Sequence, residues 1–285
     1  MHLYFHKEAN GNFGDDLNAW FWDSVLPGFR DWDAEVTLVG VGTLLNRERL
    51  QPLQNQRLLI AGTGVGYGSG PPPLPLPAGW DVRAVRGPLS ARALNLPPEK
   101  AITDPAALVP LLPEFQQALK STPKLSKPVW VPHHRSLERH NWQAACEAAG
   151  LVYLSPEEDA KKVIHTLARA PLVLAEAMHA AIIADAFRVP WVPLHIGSQF
   201  NRFKWQDWLA SLELNCQPQP LFPKKWDQFQ ISLSQKLGST PNFHRVVKAL
   251  TQAAQGPAYL SDECLLQKRQ AELLEVFQAI QQEYL

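Results

Sequence analysis

The chain has 285 residues, 46% of them apolar and 19% charged, with 27 Lys and Arg against 27 Asp and Glu. This is enough for one large domain or two ordinary ones, and too apolar for a disordered chain. A formal charge of zero argues against duplex nucleic acid as the main partner, because a phosphate backbone needs a basic footprint.

In chain order, β-branched and aliphatic runs predict strands at residues 3–6, 36–39, 57–61, 82–85, 129–131, 152–154, 172–175 and 191–194. Helical patterns fall at 16–24, 88–94, 137–149, 156–168, 179–187 and 261–284. Short apolar strands alternating with helices predict parallel sheets of the doubly wound kind. The proline run at 71–77 is too stiff for helix or central strand and reads as a surface loop. A polar linker at 120–128 divides the chain into an N-terminal part, 1–118, and a C-terminal part, 119–258. The last segment, 259–285, is expected to be a helix with Ser261 as N-cap, packing back across the protein. Cys146, Cys216 and Cys264 lie far apart with no CxxC pair, so a reducing cytoplasm is the expected setting. Residues 1–8 are too polar for a signal peptide, and Glu176, His179 and Asp185 interrupt the longest apolar stretch, which is therefore not a membrane span. The ten tryptophans are expected mainly in packing, with one or two available to stack on a sugar.

Seven segments carry candidate chemistry, most with a structural alternative. After the first strand comes Gly11-Asn12-Phe13-Gly14-Asp15-Asp16-Leu17-Asn18. One aspartate caps the next helix, but Asn12, Asp15, Asp16 and Asn18 together suit sugar hydroxyls. Gly62 and Gly64 belong to a Gly-rich turn that does not match a dinucleotide fingerprint and reads as backbone bordering a ligand. Arg86, at a strand end before Pro88 and Ser90, suits a carboxylate or phosphate, or else a salt bridge holding the turn. Asp104 reads as a cap for the helix after Pro105. His133, His134 and Arg135 follow another strand. Adjacent imidazoles in a strand would point apart, so no metal pair is expected, and no other His/Cys cluster has metal-ligand spacing. Glu176 and His179 stand where a buried strand turns into an apolar helix, and the free N–H groups there suit an anion. Lys204, in Phe203-Lys204-Trp205-Gln206-Asp207-Trp208, is a solvated lysine or a further cation for the same site.

Taken in order, Gly-Asn-Phe-Gly-Asp-Asp at 11–16, Arg-Gly-Pro-Leu-Ser at 86–90, Thr-Asp-Pro-Ala at 103–106, Pro-His-His at 132–134, Glu-Ala-Met-His-Ala at 176–180 and Lys-Trp-Gln-Asp-Trp at 204–208 resemble the polysaccharide pyruvyl transferase family, in its succinoglycan-type branch. The resemblance spans roughly residues 1–210. It implies an α/β fold of two Rossmann-like domains facing across a cleft, glycosyltransferase-B-like, with the acceptor on the N-terminal side and the donor on the C-terminal side. It implies transfer of pyruvate from phosphoenolpyruvate, a co-substrate rather than a cofactor, to two hydroxyls of a saccharide, free or lipid-linked, at the cytoplasmic side of a membrane. No resident cofactor or metal is implied. Arg86 and His179 are then the main donor-site candidates, joined by Ser90, His133, Arg135, Glu176 and Lys204, while Asn12, Asp15, Asp16, Gly62 and Gly64 face the acceptor. His179 is expected to be the general acid with Glu176 as its carboxylate partner, and Asp15 or Asp16 a base. The chain departs from many relatives in carrying Ala177 where an arginine precedes the histidine by two residues. Two other readings stay open: a nucleotide-sugar glycosyltransferase and a non-catalytic carbohydrate-binding homologue. Oligomeric state is left undetermined.

Overall fold

The computed structural model describes residues 1–116, 122–197, 200–222 and 241–285. The expected division at 118/119 lies outside these residues, as do Trp226 and the start of the 120–128 linker. Two parallel sheets form the frame. The first holds β1 (His2–Tyr4), β2 (Val36–Val39), β3 (Arg57–Ala61) and β4 (Trp80–Ala84), in the order 1-2-3-4. The second holds β5 (Val129–Val131), β6 (Val152–Tyr153), β7 (Val173–Ala175), β8 (Trp191–His195) and β9 (Gln219–Pro220), in the order 6-5-7-8-9. Pairing is parallel throughout both, as in Leu38 opposite Leu59 and Trp130 opposite Leu174. The doubly wound expectation holds only for the second sheet, where strand order reverses beside β5. The first sheet advances in one direction.

The helices are α1 (Phe13–Asp16), α2 (Asn18–Val25), α3 (Arg47–Leu50), α4 (Pro88–Ala93), α5 (Trp142–Ala149), α6 (Ala160–Arg169), α7 (Met178–Ala186), α8 (Arg202–Ser211), α9 (Pro241–Ala254) and α10 (Glu263–Tyr284). Where these differ from expectation, caps explain most of it. The expected helix at 137–149 begins only at Trp142, because Asn141 accepts the Ala144 N–H and the preceding His134–Arg139 turn is 3-10. The one at 156–168 waits for the Asp159 cap on Lys162 N. Asp262, not Ser261, caps α10 through Leu265 N, while the Ser261 N–H and hydroxyl both donate to Asp185.

α7 is apolar almost all round, as a helix must be when it is covered on every side. It packs on α6, on β7 and β8, and on the 3-10 segment Pro105–Leu111 that follows the first sheet. Its Ile182 and Ile183 share one buried cluster with Phe13, Leu17 and Trp22 on one side and with Val163 and Leu167 on the other. A continuous apolar core therefore joins the layers around both sheets. α10 lies back on it through Leu266, Leu273, Phe277 and Ile280, with Phe277 edge-on to Trp22. Among the described residues no helix is long and apolar enough to cross a membrane.

Candidate active site

The carboxyl ends of the strands from both sheets meet at one cavity of about 350 Å³. From the first sheet come Glu8, Asn12 and Asp15 after β1, Thr43 and Asn46 after β2, and Tyr67 after β3. From the second come His133, His134 and Arg135 after β5, Met178 and His179 after β7, and Lys204 from α8. The adjacent β5 and β7 are where strand order reverses, the place in a parallel sheet where the loops splay and leave a crevice.

The N-terminal wall is built by the first helical turn. Asn12 precedes α1 in extended backbone, and its Nδ2 donates to Asp15 Oδ2 at 2.6 Å. The Asn12 N–H donates to Asp16 Oδ2 at 2.8 Å. Asn12 and Asp15 line the cavity, whereas Asp16 is spent on this turn. Asn18 is also withdrawn from any ligand. Its amide donates to Asp15 O and Val41 O, and its Oδ1 accepts from Val41 N and Trp22 Nε1, tying α2 to the end of β2.

The opposite wall is cationic. His133 and His134 follow the strand rather than lie in it, so their rings lie 4.2 Å apart, tilted at 33°, instead of pointing apart. Burial, then Lys204, His134 and Arg135, push His133 down to about 2, so its imidazole is neutral at working pH. Its Nδ1 accepts from Arg135 N at 3.3 Å, which leaves Nε2–H as the donor. Burial also lowers His134, against the pull of Glu8, whose Oε1 lies 3.4 Å from His134 Nε2 and 2.9 Å from His6 Nε2. This His6–Glu8–His134 chain links the two walls. Lys204 Nζ donates to the Tyr67 hydroxyl at 2.9 Å, a second link across the cavity.

Several expected site residues sit elsewhere. Arg86 is fully buried and does not line the cavity. Its Nη1 donates to Thr43 Oγ1 at 2.8 Å, its Nη2 to Val65 O at 2.7 Å, and its Nε to Asp207 Oδ2 at 3.2 Å. Ser90 is buried with it, donating from N and Oγ to Asp207 and accepting from Val65 N. Both residues clamp α8 against the loops of the first sheet, so the salt-bridge alternative is the one realised. Gly62 and Gly64 are glycines because the protein presses on them: a Cβ would come within 2.1 Å of Pro105 Cγ and 2.5 Å of the Arg86 guanidinium carbon. Their N–H groups serve Ala84 O and Gly42 O, not a ligand.

Glu176 is buried beside the cavity but does not partner His179. It accepts from His133 N at 2.9 Å, Ser136 Oγ at 3.0 Å and Ile196 N at 2.9 Å, bracing the ends of β5, β7 and β8. Burial raises its carboxyl to about 7 despite these donors. The carboxylate facing His179 is Asp104, with Oδ2 3.7 Å from Nε2. Asp104 does cap its 3-10 segment as read, through Ala106 N at 3.0 Å. Tyr67, Arg49 and Glu8 also border the cavity. Their one advance signal was position, in the segments that follow β1, β2 and β3. Among the described residues no group of three or more His, Cys, Asp or Glu is placed to hold a metal ion.

The fold and site define a parallel α/β protein with a ligand cavity at the carboxyl edges of two sheets, cationic on one wall and amide–carboxylate on the other. No family model matches the chain. It is 46% identical over 218 residues, 76% of its own length and 67% of the relative's, to the succinoglycan biosynthesis protein ExoV of Rhizobium meliloti (strain 1021). The chain belongs to the family of that protein, the polysaccharide pyruvyl transferases.

Proposed function

We propose that this cavity transfers pyruvate from phosphoenolpyruvate to two hydroxyls of a saccharide, forming a cyclic ketal during assembly of an exopolysaccharide of the succinoglycan type. The relative's name supports the pathway. The observation that carries the reaction is the unlike character of the two walls. Arg135, Lys204 and the neutral His133 converge from the second sheet, while Asn12 and Asp15 face them from the first. A donor with a carboxylate and a phosphate needs clustered cations, and an uncharged polyol needs amides and carboxylates. On this reading the sheets are two Rossmann-like halves, 1–118 and 119–258, in a glycosyltransferase-B-like arrangement, and the donor needs no further cofactor.

The donor's anionic groups rest on Arg135 and Lys204, with His133 donating from Nε2. His179 gives a proton to the methylene carbon, making it a methyl group. Asp15 takes the proton of the first hydroxyl as its oxygen bonds to the central carbon. Phosphate then leaves with its bridging oxygen. The second hydroxyl forms the second C–O bond, and its proton leaves with the phosphate. The Ala177 position supplies no charge, and Arg135, which follows the neighbouring strand β5, lines the cavity instead.

The test is thermal stabilisation by phosphoenolpyruvate, followed by phosphate release when saccharide acceptors are added. A ligand at a hundredfold its Kd stabilises by about 2.7 kcal/mol. Stabilisation that is lost in Arg135→Ala and Lys204→Ala, with acceptor-dependent phosphate release, is expected. Stabilisation by nucleotide-sugars and none by millimolar phosphoenolpyruvate overturns the proposal.

A further inference from the structure

His179 and Asp104 share an unusual arrangement. Asp104 is fully buried, and its Oδ2 has no hydrogen-bond partner, while Oδ1 accepts the Ala106 N–H. His179 has a side chain only 12% exposed, and its buried Nε2 likewise has no partner. These two atoms face each other at 3.7 Å, across the boundary between the segment that follows the first sheet and the helix that follows β7. A buried carboxylate oxygen without a partner is costly, and so is a buried ring nitrogen. A shift of less than about 1 Å would satisfy both with a charge-assisted hydrogen bond.

The other edge of the ring is held as closely. A Cβ on Gly14 would lie 2.1 Å from Nδ1 of His179, so α1 approaches the ring where no larger residue fits. Nε2 is thus turned toward Asp104, Nδ1 lies along the α1 turn that carries Asp15, and the residue itself lines the cavity.

We infer that Asp104 is a positioning residue for His179: its Oδ2 takes the Nε2–H, sets the ring's orientation and tautomer, and leaves Nδ1 to exchange the proton with a ligand. An imidazole held this way by a buried carboxylate presents its free nitrogen in one protonation state and one direction. The inference rests on the proposed pyruvyl transfer only for the activity readout.

The experiment pairs Asp104→Asn with nitrogen-15 NMR of the His179 ring, assigned by its loss in His179→Gln. Asparagine keeps the cap on Ala106 N through Oδ1 and turns an N–H donor toward Nε2. In alkaline solution the wild-type ring is expected to carry its proton on Nε2 and the variant ring on Nδ1. Turnover should fall about 10²–10⁴-fold in kcat with KM for the donor nearly unchanged, the size typical of disabled acid–base catalysis. A wild-type ring protonated on Nδ1 overturns the inference without any variant, as does an Asp104→Asn protein with wild-type kcat. A tautomer exchange in a protein that never turns over phosphoenolpyruvate supports the pairing and refutes the reaction instead.

Discussion

Replacing Arg86 by methionine is expected to cost the fold far more than it costs ligand binding. The guanidinium lies fully buried and spreads its donors over Asp207, Thr43 Oγ1, Val65 O and, at 3.4 Å, Gly42 O. Methionine fills much of the volume but leaves Asp207 buried without its cation, its oxygens met only by the Ser90 N–H and hydroxyl. Removing one member of a buried pair costs about 3–5 kcal/mol, because the remaining charge is stranded. Loss of the Val65 and Thr43 bonds adds to that, so a domain of ordinary stability, about 5–15 kcal/mol, would be left marginal. Urea unfolding followed by tryptophan fluorescence measures the loss. Arg86→Met/Asp207→Asn should recover part of it, since the amide oxygen still accepts from Ser90 and no charge is stranded. The folded fraction of Arg86→Met should still be stabilised by phosphoenolpyruvate. A loss below about 1 kcal/mol together with abolished donor binding would refute the clamp and restore Arg86 to the donor site.

Three further outcomes follow from the geometry. Gly14→Ala should lower turnover by on the order of 10²-fold, because the new methyl displaces the His179 ring, and kcat compared with melting temperature separates this from unfolding. Glu176 carries a carboxyl raised from 4.5 to about 7, so its proton stabilises the fold fully below pH 4.5 and that stability is lost as pH rises through 7. Between pH 5 and pH 8 this amounts to about 2.5 kcal/mol, which should vanish from the difference between the urea curves in Glu176→Gln; an unchanged difference contradicts the assignment. Cys146 and Cys216 are buried with thiols pushed to about 12, whereas Cys264 is exposed. A thiol reagent should therefore titrate one cysteine in the native protein and three after denaturation, and two or more fast native thiols would contradict the burial.

Much of the frame was legible from the chain alone. The runs at 36–39, 57–61 and 129–131 are strands to the residue, because a strand covered on both faces is a continuous aliphatic run. The stretch of α7 was read as an apolar helix, and apart from His179 its residues are buried. α8 escaped detection because both its faces are buried. Trp205 and Trp208 enter the core while Asp207 and Ser211 pair with buried groups, so no helical stripe shows in the sequence. α9 did carry a signal, Val246 and Leu250 on one face, and was left unassigned.

The site divides along a different line. Residue type, strand-end position and the family resemblance together singled out Asn12, Asp15, His133, Arg135, His179 and Lys204, and all six line one cavity, because parallel sheets deliver the loops after their strands to a common edge. Partnership was beyond the reach of the chain. Glu176 lies three residues from His179, yet it turns to the backbone of β5 and β8, while Asp104, seventy-five positions earlier, faces the ring. Arg86 stands at a strand end like the true lining residues, yet Asp207 from a distant helix draws it inward. Sequence determined which side chains reach the sheet edges, since local periodicity sets strand and helix. Only the packing of the helices and loops that join the two sheets decided which charges meet, because ion pairs form between groups close in space and the chain records only closeness along itself.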